Sequence, residues 1–237
     1  MRLLPQVVPR LALAAKNATD KIPIVFITGG DPVKAGLVGS LSRPGGNITG
    51  VTSLATALLP KQIELLHQLV PKAIVFGELV NAYYPEAEIQ LRDLREAAAT
   101  IGKKVHIVNA GTRSEIDAAG YAFIRLGTEA IVVADDPFFA SSRDRIVAMA
   151  ARYALPAIYP GREYVDAGGL MSYGASLMDT YRLAGVYTGR ILKGQKPADL
   201  PVVQSARLEL VVNGNAAREL GLTIPPDMLM RADEVIE

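Results

Sequence analysis

The sequence predicts an α/β protein whose parallel β-sheets are covered by helices on both faces. Short apolar runs rich in Val, Ile and Ala alternate with longer amphipathic stretches along the chain. The runs are continuously apolar, as expected of strands buried on both sides. Gly, Pro, Asn and Asp cluster where one kind of segment gives way to the other.

In order, residues 12–20 read as an Ala-rich amphipathic helix, and Ile24-Val25-Phe26-Ile27 as a buried strand after Pro23. Thr28-Gly29-Gly30-Asp31-Pro32 ends that strand, and a short helix is expected over 33–41. Arg43-Pro44-Gly45-Gly46-Asn47 is a turn cluster leading into the strand Ile48-Thr49-Gly50-Val51. Pro60 opens a helix whose Ile63, Leu65, Leu66 and Leu69 mark a packed face. Strands are then expected at 73–80, 105–108, 130–134, 157–159 and 170–173. The helices between them are expected at 85–101, 114–125 and 137–153. A long helix over 176–192 stops at Lys193-Gly194, a cation followed by a capping glycine. Residues 196–205, with Pro197 and Pro201, read as a connection between lobes. A strand at 208–212, a helix at 213–220 and a Pro-rich tail complete the chain.

Composition narrows the function. With 237 residues, half of them hydrophobic, the chain can form one large domain or two small ones. Twenty-five basic against 24 acidic side chains give a net charge of +1, so no charge excess points to nucleic acid or an anionic membrane. Without cysteine there are no disulfides, thiolate metal sites or thiol nucleophiles. No apolar run reaches the ~20 residues that span a bilayer. Pro5 and Pro9 break any signal-like stretch, so no export signal is expected in the chain as written.

Ligands on parallel sheets bind at the carboxyl ends of strands, which makes the loops after strands the candidate sites. In 28–32, Gly29 and Gly30 let the backbone approach a ligand, and a helix start beyond them suits a carboxylate; Asp31 is equally a helix N-cap. Asp135-Asp136-Pro137-Phe138-Phe139 opens a helix, with Asp136 placed to cap it and Pro137 at its first position. Asp135 is not explained by capping, and a carboxylate beside aromatic rings suits an ammonium group. No further ligands stand at metal spacing, so neither a metal nor a cofactor is expected. Tyr83 and Tyr84, after Asn81, either stack on a ligand or lie on the surface. In Tyr159-Pro160-Gly161-Arg162-Glu163-Tyr164, Arg162 is a carboxylate clamp or the partner of Glu163. His67 and His106 stand apart from any Ser or acid. The nucleophile-elbow and paired-His zinc patterns are absent, as are the P-loop and the dinucleotide fingerprint. The residues point to binding, not catalysis.

Taken together, several segments resemble the periplasmic substrate-binding proteins of ABC importers related to those for tryptophan and tyrosine. They are 21–33 with Thr28-Gly29-Gly30-Asp31-Pro32, 43–51 with Arg43-Pro44-Gly45-Gly46-Asn47, 65–71, Asp136-Pro137-Phe138-Phe139, 168–174 and 187–194, in collinear order. The resemblance implies a type I binding-protein fold of two Rossmann-like lobes, with a small amino acid-like or carboxylate ligand in the interlobe cleft. It also implies an ABC permease as partner, no nucleic-acid partner and a periplasmic location. The first lobe is expected over 1–52 with 175–205, and the second over 53–174 with 206–237. Thr28, Gly29, Gly30, Asp31, Thr49, Gly50, Val51, Asn81, Tyr83, Asp135, Asp136, Phe138, Tyr159, Tyr173 and Gly174 are the expected ligand-binding residues. Gly50 and Gly174 are also expected at chain crossings that act as hinges. A ligand-sensing or enzymatic domain on the same fold is the alternative.

The first lobe is expected to be incomplete, because no strand is read before the 12–20 helix and family members have further βα units upstream. The sheet edge and apolar helix faces so exposed predict either a first lobe patched by partner-chain contacts in a homo-oligomer or an unstable isolated chain with weak ligand binding.

Overall fold

The computed structural model describes residues 4–6, 9–53, 58–84 and 87–237. In chain order the elements are β1 (Leu4–Gln6), α1 (Pro9–Ala18), β2 (Ile24–Thr28), β3 (Ile48–Thr52), α2 (Leu59–Leu69), β4 (Val75–Val80), α3 (Ala87–Thr100) and β5 (Lys104–Asn109). Next come α4 (Arg113–Arg125), β6 (Ala130–Val133), α5 (Pro137–Ser141), α6 (Arg143–Arg152), β7 (Ala157–Tyr159), α7 (Arg162–Asp166) and β8 (Met171–Ala175). The last are α8 (Leu177–Leu192), β9 (Val203–Gln204), β10 (Leu208–Asn213), α9 (Gly214–Glu219), α10 (Pro226–Arg231) and β11 (Glu234–Ile236). The chain divides into two compact units, Met1–Ala55 with Ala175–Leu208 and Thr56–Gly174 with Glu209–Glu237.

The first unit is a parallel sheet in the order β1-β2-β3-β9. Successive strand residues point to opposite faces. Ile24 and Phe26 therefore join Ala12, Leu37, Ile48 and Val202 on one side, while Val25 meets Tyr187, Ile191 and Leu200 on the other. Three expectations are corrected here. A strand does precede α1: β1 pairs with β2, Leu4 opposite Ile24. Residues 33–41 form turns and not a helix, because Gly36 at φ +70° turns the backbone out of the helical region. Residues 196–205 are no free connection, since a 3₁₀ turn at Pro197–Asp199 precedes β9, which pairs with β3. Their apolar members Leu200 and Val202 are buried, which explains why this stretch folds onto the sheet.

The second unit is a seven-stranded sheet in the order β11-β10-β8-β7-β6-β4-β5. Parallel pairing joins β5 to β4, β4 to β6, β6 to β7, β7 to β8 and β10 to β11. One face packs Phe76, Val132, Ile158 and Met171 against Ile63 and Leu66 of α2 and Leu94 of α3. The other packs Leu79, Val133 and Tyr159 against Ile116 and Phe123 of α4 and Ile146 of α6. The helix expected over 137–153 is two helices, broken at Ser142, whose φ of −113° departs from helical geometry. The Pro-rich tail forms α10 and β11, with Pro226 in the first turn of α10, where its missing N–H costs nothing. The expected start of α3 at Pro85 lies outside the described residues.

Three buried positions stand out. Glu78, inside β4, is fully enclosed, and neither carboxyl oxygen has a hydrogen-bond partner among the described residues. Burial pushes its pKa up to about 8, against the opposing pull of Arg95. Gly174 is the last residue of its stretch of the second unit, and a Cβ there would lie 1.7 Å from the Pro160 carbonyl oxygen. Gly50, expected at a crossing, is instead mid-strand in β3, where a Cβ would meet the Phe26 carbonyl oxygen at 2.2 Å. It is there for close strand packing.

Candidate functional site

In the second unit, neighbouring strands β4, β5 and β6 end side by side, and their loops are wired together. Asn81, the first residue after β4, is buried; its Nδ2 donates to Asp136 Oδ2 at 3.1 Å and its Oδ1 accepts from the Tyr83 N–H at 3.1 Å. The Asn81 carbonyl also accepts from the Tyr84 N–H at 2.9 Å, closing the turn. This Asx-type turn leaves Tyr83 at the tip, 74% exposed.

Asp136 caps α5, its Oδ1 accepting from the Phe139 N–H at 3.0 Å, with Pro137 in the helix's first turn. Burial raises its pKa, while the hydrogen bonds from Phe139 and Asn81 favour the charged form and oppose the rise. Asp135 is half-buried beside it, and its carbonyl accepts from Gln90 Nε2 of α3 at 2.8 Å. Phe138 is half-buried, its ring tilted at 46° to Phe139. After β5, Thr112 caps α4 in a reciprocal box with Glu115, whose carboxylate accepts from the Gly111 and Thr112 N–H groups at 2.8 and 3.0 Å.

The other expected residues of this unit lie deeper. Tyr159 is enclosed in the core, its ring stacked on Tyr164 at 5.0 Å between centroids. Burial raises both phenol pKa values; for Tyr164 the nearby charges of Asp135, Glu163 and Asp136 add to the rise. The Tyr164 hydroxyl has no hydrogen-bond partner among the described residues. Tyr173 is half-buried, and its carbonyl accepts from Gln62 Nε2 at 2.8 Å. Gly174 follows it in β8. Arg162 does not pair with Glu163; it reaches Asp166 at 3.3 Å and Glu234 of β11 at 3.0 Å, so its charge ties the C-terminal strand to α7.

In the first unit the carboxyl end of β2 forms a small polar turn. Thr28 Oγ1 accepts from the Gly30 N–H at 3.2 Å, and Thr52 Oγ1, at the end of β3, donates to the Gly30 carbonyl at 2.8 Å. Gly29 lies between Thr28 and Gly30, half-buried. Asp31 Oδ1 accepts from the Val33 and Lys34 N–H groups, so its carboxylate caps the turn that follows. Thr49, Gly50 and Val51 form the body of the expected strand β3 and are fully buried. The Thr49 hydroxyl donates to the Leu200 carbonyl at 2.7 Å, holding the 3₁₀ turn to the sheet.

Sequence reading missed Thr52, Gly111 and Thr112. The Thr112-x-x-Glu115 spacing was a legible capping signal, whereas the roles of Thr52 and Gly111 depend on contacts across loops. No cluster of three or more metal-ligating side chains occurs among the described residues.

Residues 4–236 match the family described as ABC transporter substrate binding protein. A tyrosine-binding protein of Clostridioides difficile is 29% identical over 211 residues, covering 89% of this chain and 60% of its own length. The chain thus spans about 60% of that curated relative. Two solved structures superpose over almost the whole chain. A conserved domain protein of Vibrio cholerae has TM-score 0.89 and 29% identity, covering 98% of this chain and 78% of its own. An ABC domain from Streptococcus pneumonia in complex with L-Trp has TM-score 0.87 and 28% identity, covering 99% and 78%. Matched to the family over nearly its full length and sharing the fold of these structures, the chain belongs to the ABC transporter substrate-binding proteins.

Proposed function

We propose that the chain captures a free amino acid, or a small carboxylate like it, outside the cytoplasmic membrane and hands it unchanged to an ABC permease. The observation that supports this most is the cluster at the carboxyl ends of β4 and β6. There buried Asp136 holds Asn81, whose amide oxygen holds the backbone of exposed Tyr83, and half-buried Asp135 stands next to Asp136 in the same loop. A fixed carboxylate beside apolar rings suits a ligand ammonium group. Asp135, half-buried next to Asp136, is assigned to the ammonium, and Asp136, which holds Asn81 and caps α5, to positioning the loop. The named relatives bind tyrosine and tryptophan, which favours amino acids as the ligand class.

The test is calorimetry of the protein with L-tyrosine, L-tryptophan, L-leucine and L-glutamate, repeated on Asp135→Ala. Loss of the charged partner is expected to weaken the best ligand by roughly 30-fold or more. Unchanged affinity in Asp135→Ala would remove the ammonium assignment, and no binding of any of the four would remove amino-acid capture itself.

A further inference from the structure

Gly111 lies in the loop between β5 and α4, and its φ is not in the left-handed region that glycine alone favours. Its backbone conformation therefore does not require glycine. What requires it is a neighbour: a Cβ at 111 would stand 2.4 Å from Cδ2 and 2.6 Å from Cε2 of Tyr83. Real Cβ atoms do not approach an aromatic carbon so closely, so the ring sits where any other residue's side chain would begin.

The backbone on both sides of this contact is held. The Glu115 carboxylate accepts from the Gly111 N–H at 2.8 Å, fixing the seat. The Tyr83 N–H is held by Asn81 Oδ1, and Asn81 is held in turn by buried Asp136. A ring that lies on a backbone seat yet keeps 74% of its residue exposed has surface left for a second flat partner. It stands at the carboxyl end of β4, one hydrogen-bonded residue away from the acidic cluster.

We propose that Tyr83, seated on Gly111, is the stacking platform that makes this site select ligands bearing a planar ring. The inference rests on the amino-acid capture reading and adds to it the residue that sets side-chain preference. The acidic cluster recognises what all amino acids share, whereas the platform discriminates among their side chains. Offset stacking of a ligand ring on Tyr83 supplies that difference.

The experiment compares L-tyrosine and L-tryptophan with L-leucine by calorimetry on the parent, Tyr83→Ala, Tyr83→Phe, Gly111→Ala and the Tyr83→Ala/Gly111→Ala double variant. Thermal melts of each variant monitor folding. The parent is expected to bind the ring-bearing probes more tightly than leucine. Tyr83→Ala should weaken them about five- to tenfold and leave leucine within about twofold, while Tyr83→Phe retains the preference. Gly111→Ala, which unseats the ring, should mimic Tyr83→Ala, and the double variant should be no worse than Tyr83→Ala alone. If Gly111→Ala fails to fold, the Tyr83 pair still decides. Ring-bearing probes bound equally well by the parent and Tyr83→Ala overturn the platform but leave capture standing, as does equal loss of leucine. A parent that binds none of the probes overturns capture and the platform together.

Discussion

Asn81 and Asp136, each almost wholly buried, share a 3.1 Å hydrogen bond that joins the end of β4 to the start of α5. Asp136 uses its other oxygen as the helix cap, so one carboxylate serves two elements. Asp136→Ala is expected to lose the cap, at about 1 kcal/mol. It would also leave the Asn81 amide unpaired in the interior, at about 1–3 kcal/mol more. Urea denaturation should show a loss of about 2–4 kcal/mol with an unchanged slope. An alanine variant as stable as its parent would disprove the linkage.

Two glycines should respond to alanine with opposite signs. At Gly174 the new Cβ meets the Pro160 carbonyl oxygen, and backbone must move, so a loss above about 2 kcal/mol is expected. At Gly185, inside α8, nothing lies within 4 Å of the new methyl. There alanine's helix preference should add about 0.5–1 kcal/mol. Denaturation midpoints of the two variants, measured side by side, read the contrast directly.

Glu78 predicts a pH dependence. Its folded pKa of about 8 lies above the unfolded value of 4.5, so the folded chain holds the proton more tightly. Its contribution to stability is therefore complete below about pH 4.5 and is lost as the pH rises through about 8. In Glu78→Gln this loss should vanish, and the stability difference between variant and parent should shift in the variant's favour from pH 5 to pH 8. Parallel curves for the two proteins would contradict an enclosed, neutral Glu78.

Thr112→Ala removes one arm of the capping box at the start of α4. A loss of about 1 kcal/mol is expected. It should raise hydrogen exchange in the first turn of α4 more than elsewhere. Uniform exchange along the helix would count against a local cap.

The alternation of β and α segments was readable because continuous apolar runs such as Ile24-Val25-Phe26-Ile27 have few alternatives to a doubly covered strand. The short peripheral pieces were not readable. The three-residue strands at Leu4–Gln6 and Glu234–Ile236 carry too little pattern to stand out, and they form because a neighbouring edge offers hydrogen bonds. Pro197 and Pro201 suggested a linker, but burial of Leu200 and Val202 overrode them. At the candidate site, the sequence marked Asn81, Tyr83, Asp135 and Asp136 as strand-end residues, and the structure shows Asn81 hydrogen-bonded to both Asp136 and the Tyr83 backbone. It did not disclose Gly111, whose significance is a distance to a side chain 28 positions away.

The enclosed acid of β4 also changes what the molecule looks like to an electric field. The formal charge of +1 counts every carboxyl as ionised. With Glu78 protonated at pH 7, the net charge is instead about +2, so the folded protein should focus at a higher isoelectric point than its unfolded chain. Unfolding at neutral pH would release nearly one proton from this residue.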